Sequence, residues 1–135
     1  MKTTKKETIQ RLGLSLLVLV LAALAWAQAG GGNEVSISSA AEWKAFCERV
    51  RNGERGLNAK LTQDVDLGTE IVMLGDLTYL YTGTFDGQGH TLKMNWNAGN
   101  DYDIAPFQRV ENATIKNLRT QGKITSSRSN LSGLV

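Results

Sequence analysis

The chain has one cysteine, one proline and one histidine among 135 residues. A single thiol, Cys47, makes no internal bridge, so stability must come from packing. With no Cys/His cluster, zinc is not expected. With proline nearly absent, the breakers are glycine and Asn/Asp, as short strands with frequent turns require. Gly87-Gln88-Gly89 is not followed by the Gly-Lys-Ser/Thr of a phosphate-binding loop, and no helix pattern opens there. The calcium-binding nonapeptide Gly-Gly-x-Gly-x-Asp is also missing. No metal and no cofactor are expected.

One long apolar run is present, at the N-terminus. Lys2, Lys5, Lys6 and Arg11 precede an almost wholly apolar Leu12–Leu24, and small-x-small cleavage sites end at Ala27 or Ala29. This is the three-part pattern of a secretory signal peptide over residues 1–27. The run of about 16 residues is short of the roughly 20 that span a bilayer, so membrane contact is expected only through an uncleaved signal. The expected location is secreted or cell-surface. From Gln28 onward there are 11 Lys/Arg against 12 Asp/Glu, so the basic surplus belongs to the leader. A nucleic-acid partner is not expected.

Residues 28–34, centred on Gly30-Gly31-Gly32, read as a flexible spacer. A helix is predicted at about 40–52. Ser39 and Glu42 form a capping box, Trp43, Phe46, Cys47 and Val50 recur on one face, and Gly53 supplies the stop. Cys47 on that apolar face reads as a buried core thiol. Leu57, Ala59, Leu61, Val65 and Leu67 alternate with polar residues, which predicts strand. Further short strands are predicted at Gly83–Phe85, Thr91–Trp96 and from Gly122 to Ile124. Phe107, Val110, Ile115 and Leu118 form another inward-facing set.

An imperfect echo links these strands. Superimposing Thr91-Leu92-Lys93 on Thr114-Ile115-Lys116 gives an offset of about 23 residues, within the range of solenoid repeats. One such unit cannot bury its apolar face alone, whereas stacked units can. The expected fold is mainly β: a short right-handed parallel β-helix over residues 35–135 with an N-terminal capping helix, preceded by the signal peptide. The apolar Gly133-Leu134-Val135 reads as the start of another coil, which predicts truncation there and self-association through the C-terminal edge.

The segments Tyr81–Leu92, with its Phe85-Asp86-Gly87-Gln88-Gly89-His90 turn, Phe107–Leu118 and Ser132–Val135 together resemble exported bacterial proteins with GLUG-type repeats. Asp64-Val65-Asp66-Leu67 matches that family's Asp-x-Asp-Leu strand end. Ala105-Pro106-Phe107 stands where the family tends to have Gly-Leu-Phe. The resemblance implies a parallel β-helix surface protein, often an adhesin or a stalk presenting other domains, and no single enzyme activity.

Two sets of candidate site residues follow. Asp64, Asp66 and Asp86 form an acidic set that would serve a glycoside hydrolase or lyase if their strands stacked in register. Tyr79, Tyr81, Trp96 and Tyr102, in or beside irregular segments, are candidates for stacking on sugar rings. The non-catalytic reading is preferred: an adhesion or presentation module whose partners are glycans or host or cell-surface proteins. A polysaccharide-degrading enzyme and a purely structural cap are the alternatives.

Overall fold

A computed structural model describes residues 34–135. The expected signal peptide, its cleavage at Ala27 or Ala29 and the spacer up to Asn33 lie outside the described residues. The described part is mainly sheet, with parallel strands and one helix.

Strand β1 (Glu34–Ile37) leads into helix α1 (Ala40–Arg51). The Ser39 hydroxyl accepts from the Glu42 amide at 3.2 Å. Glu42 reaches back one residue further than a capping box would take it, accepting from the Ser38 amide at 2.6 Å and the Ser38 hydroxyl at 2.7 Å. At the other end Gly53, at φ 107°, lets its own amide reach Val50 O and the Glu54 amide reach Arg49 O. That pair of bonds is a Schellman motif, and it satisfies carbonyls the last turn leaves open. Trp43, Phe46, Cys47 and Val50 are all buried.

Six further strands follow: β2 (Asn58–Leu61), β3 (Val65–Asp66), β4 (Thr84–Asp86), β5 (Thr91–Asn97), β6 (Thr114–Lys116) and β7 (Arg119–Thr125). They alternate between two sheets. The first sheet has the order β1-β2-β4-β6 and the second β3-β5-β7, and every pairing is parallel. Alternating residues send Ala59, Leu61, Val65, Phe85, Leu92, Met94 and Trp96 into the core. The alternation at 57–67 therefore spans two strands in different sheets, with the corner at Thr62–Asp64 between them.

The repeat step differs from the one the echo predicts. Thr114-Ile115-Lys116 pairs with Thr84-Phe85-Asp86, while Leu92 pairs with Thr120. The two members of the echo lie in different sheets. An inward position demands only an apolar residue, so Leu92 and Ile115 look alike without being neighbours.

Segments outside the strands add single parallel bridges, Leu74 to Phe107, Tyr81 to Val110 and Ile104 to Leu131. Trp43 packs edge-on against Phe85 and Phe107 at 5.8 and 5.7 Å between ring centres, and Phe46 against Tyr81 at 5.8 Å. The helix is thus fastened to both sheet and loop by aromatic contacts. Strands β6 and β7 stand last in their sheets, and Leu131, Leu134 and Val135, in the segment after β7, are exposed.

Candidate functional site

The acidic candidates serve the turns. Asp64 Oδ1 accepts from the Thr91 amide at 2.9 Å and lies 3.6 Å from His90 Nδ1. Asp66 Oδ1 accepts from the Gly68 amide at 2.9 Å, closing an Asx turn. Asp86 Oδ1 accepts from the Gln88 amide at 2.9 Å and from Asn117 Nδ2 at 3.1 Å, while Oδ2 accepts from Gln88 Nε2 at 3.0 Å. These bonds, the Gln88 amide foremost, hold the Asp86 carboxyl below its ordinary range. A glycosidase general acid requires a shift in the opposite direction. Asp66 is in the second sheet and Asp86 in the first. Among the described residues no group of three or more His, Cys, Asp or Glu side chains is placed to hold a metal ion.

The aromatic candidates divide. Tyr81 and Trp96 are corrections: both are buried, at 0% and 1% exposure, and neither ring can meet a ligand at the surface. Trp96 belongs to the inward set Leu92, Met94, Trp96 of β5, a period-2 pattern visible in the sequence. Tyr81 is drawn inward by Phe46, a contact between residues far apart in the chain. The Tyr81 hydroxyl and Trp96 Nε1 have no partner among the described atoms, and burial pushes the Tyr81 phenol pKa up. Tyr79 and Tyr102 are exposed, at 36% and 60%.

Tyr102 lines a cleft of about 320 Å³, together with Leu77, Thr78, Asp103, Gln108 and Arg109. Three stretches that are separate in sequence meet there. Asp76 shapes the first: its Oδ1 accepts from the Thr78 and Tyr79 amides at 2.8 and 2.7 Å, and its own amide donates to Tyr79 O. The tight loop leaves Leu77 outside, at 81% exposure. Asp103 adopts φ 58° in the second stretch, just before the bridge of Ile104 to Leu131. The backbone N–H of Gln108 donates to Leu74 O at 2.8 Å, which places the residue beside the cleft. Arg109 Nη2 donates to Asp103 Oδ2 at 2.6 Å, and Asn130 Nδ2 donates to Asp103 Oδ1 at 3.0 Å. The charged wall is therefore neutral as a pair, and Asp103 is bonded through both of its oxygens. Tyr79 does not line the cleft.

The cleft is open and lined mainly by polar residues, with Tyr102 and Leu77 as its apolar members. The aromatic face offers apolar contact to the C–H side of a sugar, and Gln108 with the Asp103–Arg109 pair offers donors and acceptors to its hydroxyls. Leu77, Gln108 and Arg109 escape sequence reasoning because the chain brings them together only through the loop bridges. The one local signal is Leu77, apolar between the polar Asp76 and Thr78.

Comparison with protein-family models, with curated proteins and with solved structures gives no match in any of the three.

Proposed function

We propose that residues 35–135 form a short right-handed parallel β-helix, capped by α1, that acts as a non-catalytic module of an exported or cell-surface protein. Its role is adhesion or the presentation of other domains. Two parallel sheets visited alternately by the chain support the fold reading. The leader-like residues 1–27 support export. The observation that carries the functional reading is the meeting of the 76–78 and 102–103 loops in one cleft with Gln108 and Arg109. Its ligand on this reading is a glycan, stacked on Tyr102 and hydrogen-bonded by the polar wall. A hydrolase or lyase reading has less support, because Asp64, Asp66 and Asp86 each accept backbone amides within or between turns.

The edge strands β6 and β7 supply a second contact, self-association. A hollow of about 250 Å³ among Met94, Thr120, Gly122, Ile124 and Leu131 opens beside β7. Unpaired edges of this kind recruit another chain.

The test is a glycan array probed with the full chain and with Tyr102→Ala. Binding to a defined set of glycans that Tyr102→Ala weakens about tenfold or more, the order expected when a stacking ring worth a hot-spot contact is lost, supports the reading. Binding that is unchanged in Tyr102→Ala, or cleavage of the bound glycan, overturns it.

A further inference from the structure

The two sheets share one construction but carry their outward charges differently. On the first sheet the outward residues include Glu34, Lys60, Asp86 and Lys116. Lys60 Nζ lies 2.7 Å from Glu34 and Lys116 Nζ lies 3.6 Å from Asp86, so both cations of that face are paired. On the second sheet, β5 exposes Lys93, Asn95 and Asn97 between its buried residues. The register sets Thr91 beside Arg119, Lys93 beside Gln121 and Asn95 beside Lys123. In-register parallel neighbours point to the same side, so Lys93, Arg119 and Lys123 share the outer face. Among the described residues none of the three has a carboxylate within ion-pair distance. Two acids border the outer face: Asp66 stands in register beside Lys93 but is bonded to the Gly68 amide, and Asp64 accepts from the Thr91 amide. The chain from Asn112 to Val135 holds four cations, Lys116, Arg119, Lys123 and Arg128, and no Asp or Glu.

We propose that this outer face of the second sheet binds an anionic polysaccharide, one bearing sulfate or uronate groups, lying along the strands. Along β7, Arg119 and Lys123 are roughly 13 Å apart at the usual strand rise, with Lys93 one strand over and midway between them. A chain running along the sheet thus meets a cation about every 7 Å, and each can pair with a carboxylate or sulfate. Asn95, Asn97 and Gln121 lie among the cations and supply donors and acceptors for hydroxyls. No aromatic ring lies outward on β5 or β7, so the platform that single-stranded nucleic acids stack on is missing from this face. The mixture of separated cations and neutral amides fits a charged sugar chain better than a nucleic acid. The inference is independent of the Tyr102 cleft and uses none of its residues.

The experiment compares the full chain with two variants that each remove three positive charges. Lys93→Gln/Arg119→Gln/Lys123→Gln strips the proposed face. Lys44→Gln/Lys60→Gln/Lys116→Gln removes cations that are ion-paired in the structure. Heparin is the sulfated probe, polygalacturonate the uronate probe, dextran the neutral control and duplex DNA the competing polyanion. The expected result is binding of heparin, polygalacturonate or both, with no binding of dextran. The first variant weakens it about tenfold or more and reduces the salt dependence by two to three counterions, roughly one per cation lost. The second stays within about threefold of the unaltered chain, since its cations are not on the face. Which of the two probes binds more tightly assigns sulfate or uronate. No binding to either probe, equal losses in the two variants, or tighter binding to DNA than to both would overturn the proposal. Tyr102→Ala leaves this binding unchanged if the two surfaces are separate. A loss there places the anionic chain in the cleft and overturns the assignment to the sheet.

Discussion

The indole N–H of Trp43 donates to the carbonyl of Val72 at 2.9 Å, so helix α1 is bonded to the loop that follows β3. The same ring packs edge-on against Phe85 and Phe107. Burial and hydrogen bond act on one side chain. Trp43→Ala is expected to cost about 3–5 kcal/mol, the range for deleting a large buried ring. Trp43→Phe keeps much of the apolar contact but leaves the Val72 carbonyl without its donor. Its expected cost is lower, about 1–3 kcal/mol. Chemical denaturation of both variants checks the order, and equal losses would mean that the ring is not buried.

Gly122 of β7, at φ 127°, lies across from Met94 of β5. A Cβ placed there would run into the Met94 carbonyl oxygen. Gly99 also has positive φ, 57°, but its Cβ would meet nothing within 4 Å. Gly122→Ala should therefore destabilise by more than about 2 kcal/mol, and Gly99→Ala by only about 1 kcal/mol, the cost of the left-handed conformation alone. Equal losses would mean that β7 does not approach β5 as described.

Acid should loosen the N-terminal turn of α1. Hydrogen bonds from the Ser38 hydroxyl and amide hold the Glu42 carboxyl below its ordinary 4.5. The Arg49 guanidinium does the same for Glu54. A folded pKa below the unfolded one gives stability that is complete above the unfolded value and is lost as pH falls through the folded value. Tm is expected to hold down to about pH 4.5 and to decline below it. Glu42→Gln should start lower and decline less. A decline unaffected by the substitution would assign the acid sensitivity elsewhere.

Cys47 is fully buried among the core residues of α1, and burial pushes its thiol pKa to about 12. The thiolate is the reactive form, so the folded chain should be inert to thiol reagents at neutral pH and react fully once denatured. Rapid labelling in native buffer would contradict the burial.

Helix α1 was legible because its signals are local: the cap at Ser39, the apolar spacing from Trp43 to Val50 and the stop at Gly53 all lie within one segment. The inward alternation of β2, β3 and β5 was legible for the same reason. The register was not. The corner between β4 and β5 takes Gly87–His90, whereas that between β6 and β7 takes only Asn117 and Leu118. Corners of unequal length destroy a constant period, and the likeness of Thr91–Lys93 to Thr114–Lys116 then misleads. Of the site, Tyr102 was legible as an aromatic in a polar loop. Gln108 and Arg109 were not, because their place depends on the pairing of Leu74 with Phe107 and of Tyr81 with Val110.

The pairing of Thr84 with Thr114 is the central claim, because both the cleft and the basic face depend on how the chain steps from strand to strand. Its most direct test is disulfide trapping in a Cys47→Ala background. Neighbouring residues on adjacent strands stand about 5 Å apart, within the Cα separation a disulfide spans. The account predicts that Thr84→Cys with Thr114→Cys cross-links under mild oxidation, and that Thr91→Cys with Thr114→Cys does not. Cross-linking of the second pair and not the first would contradict it.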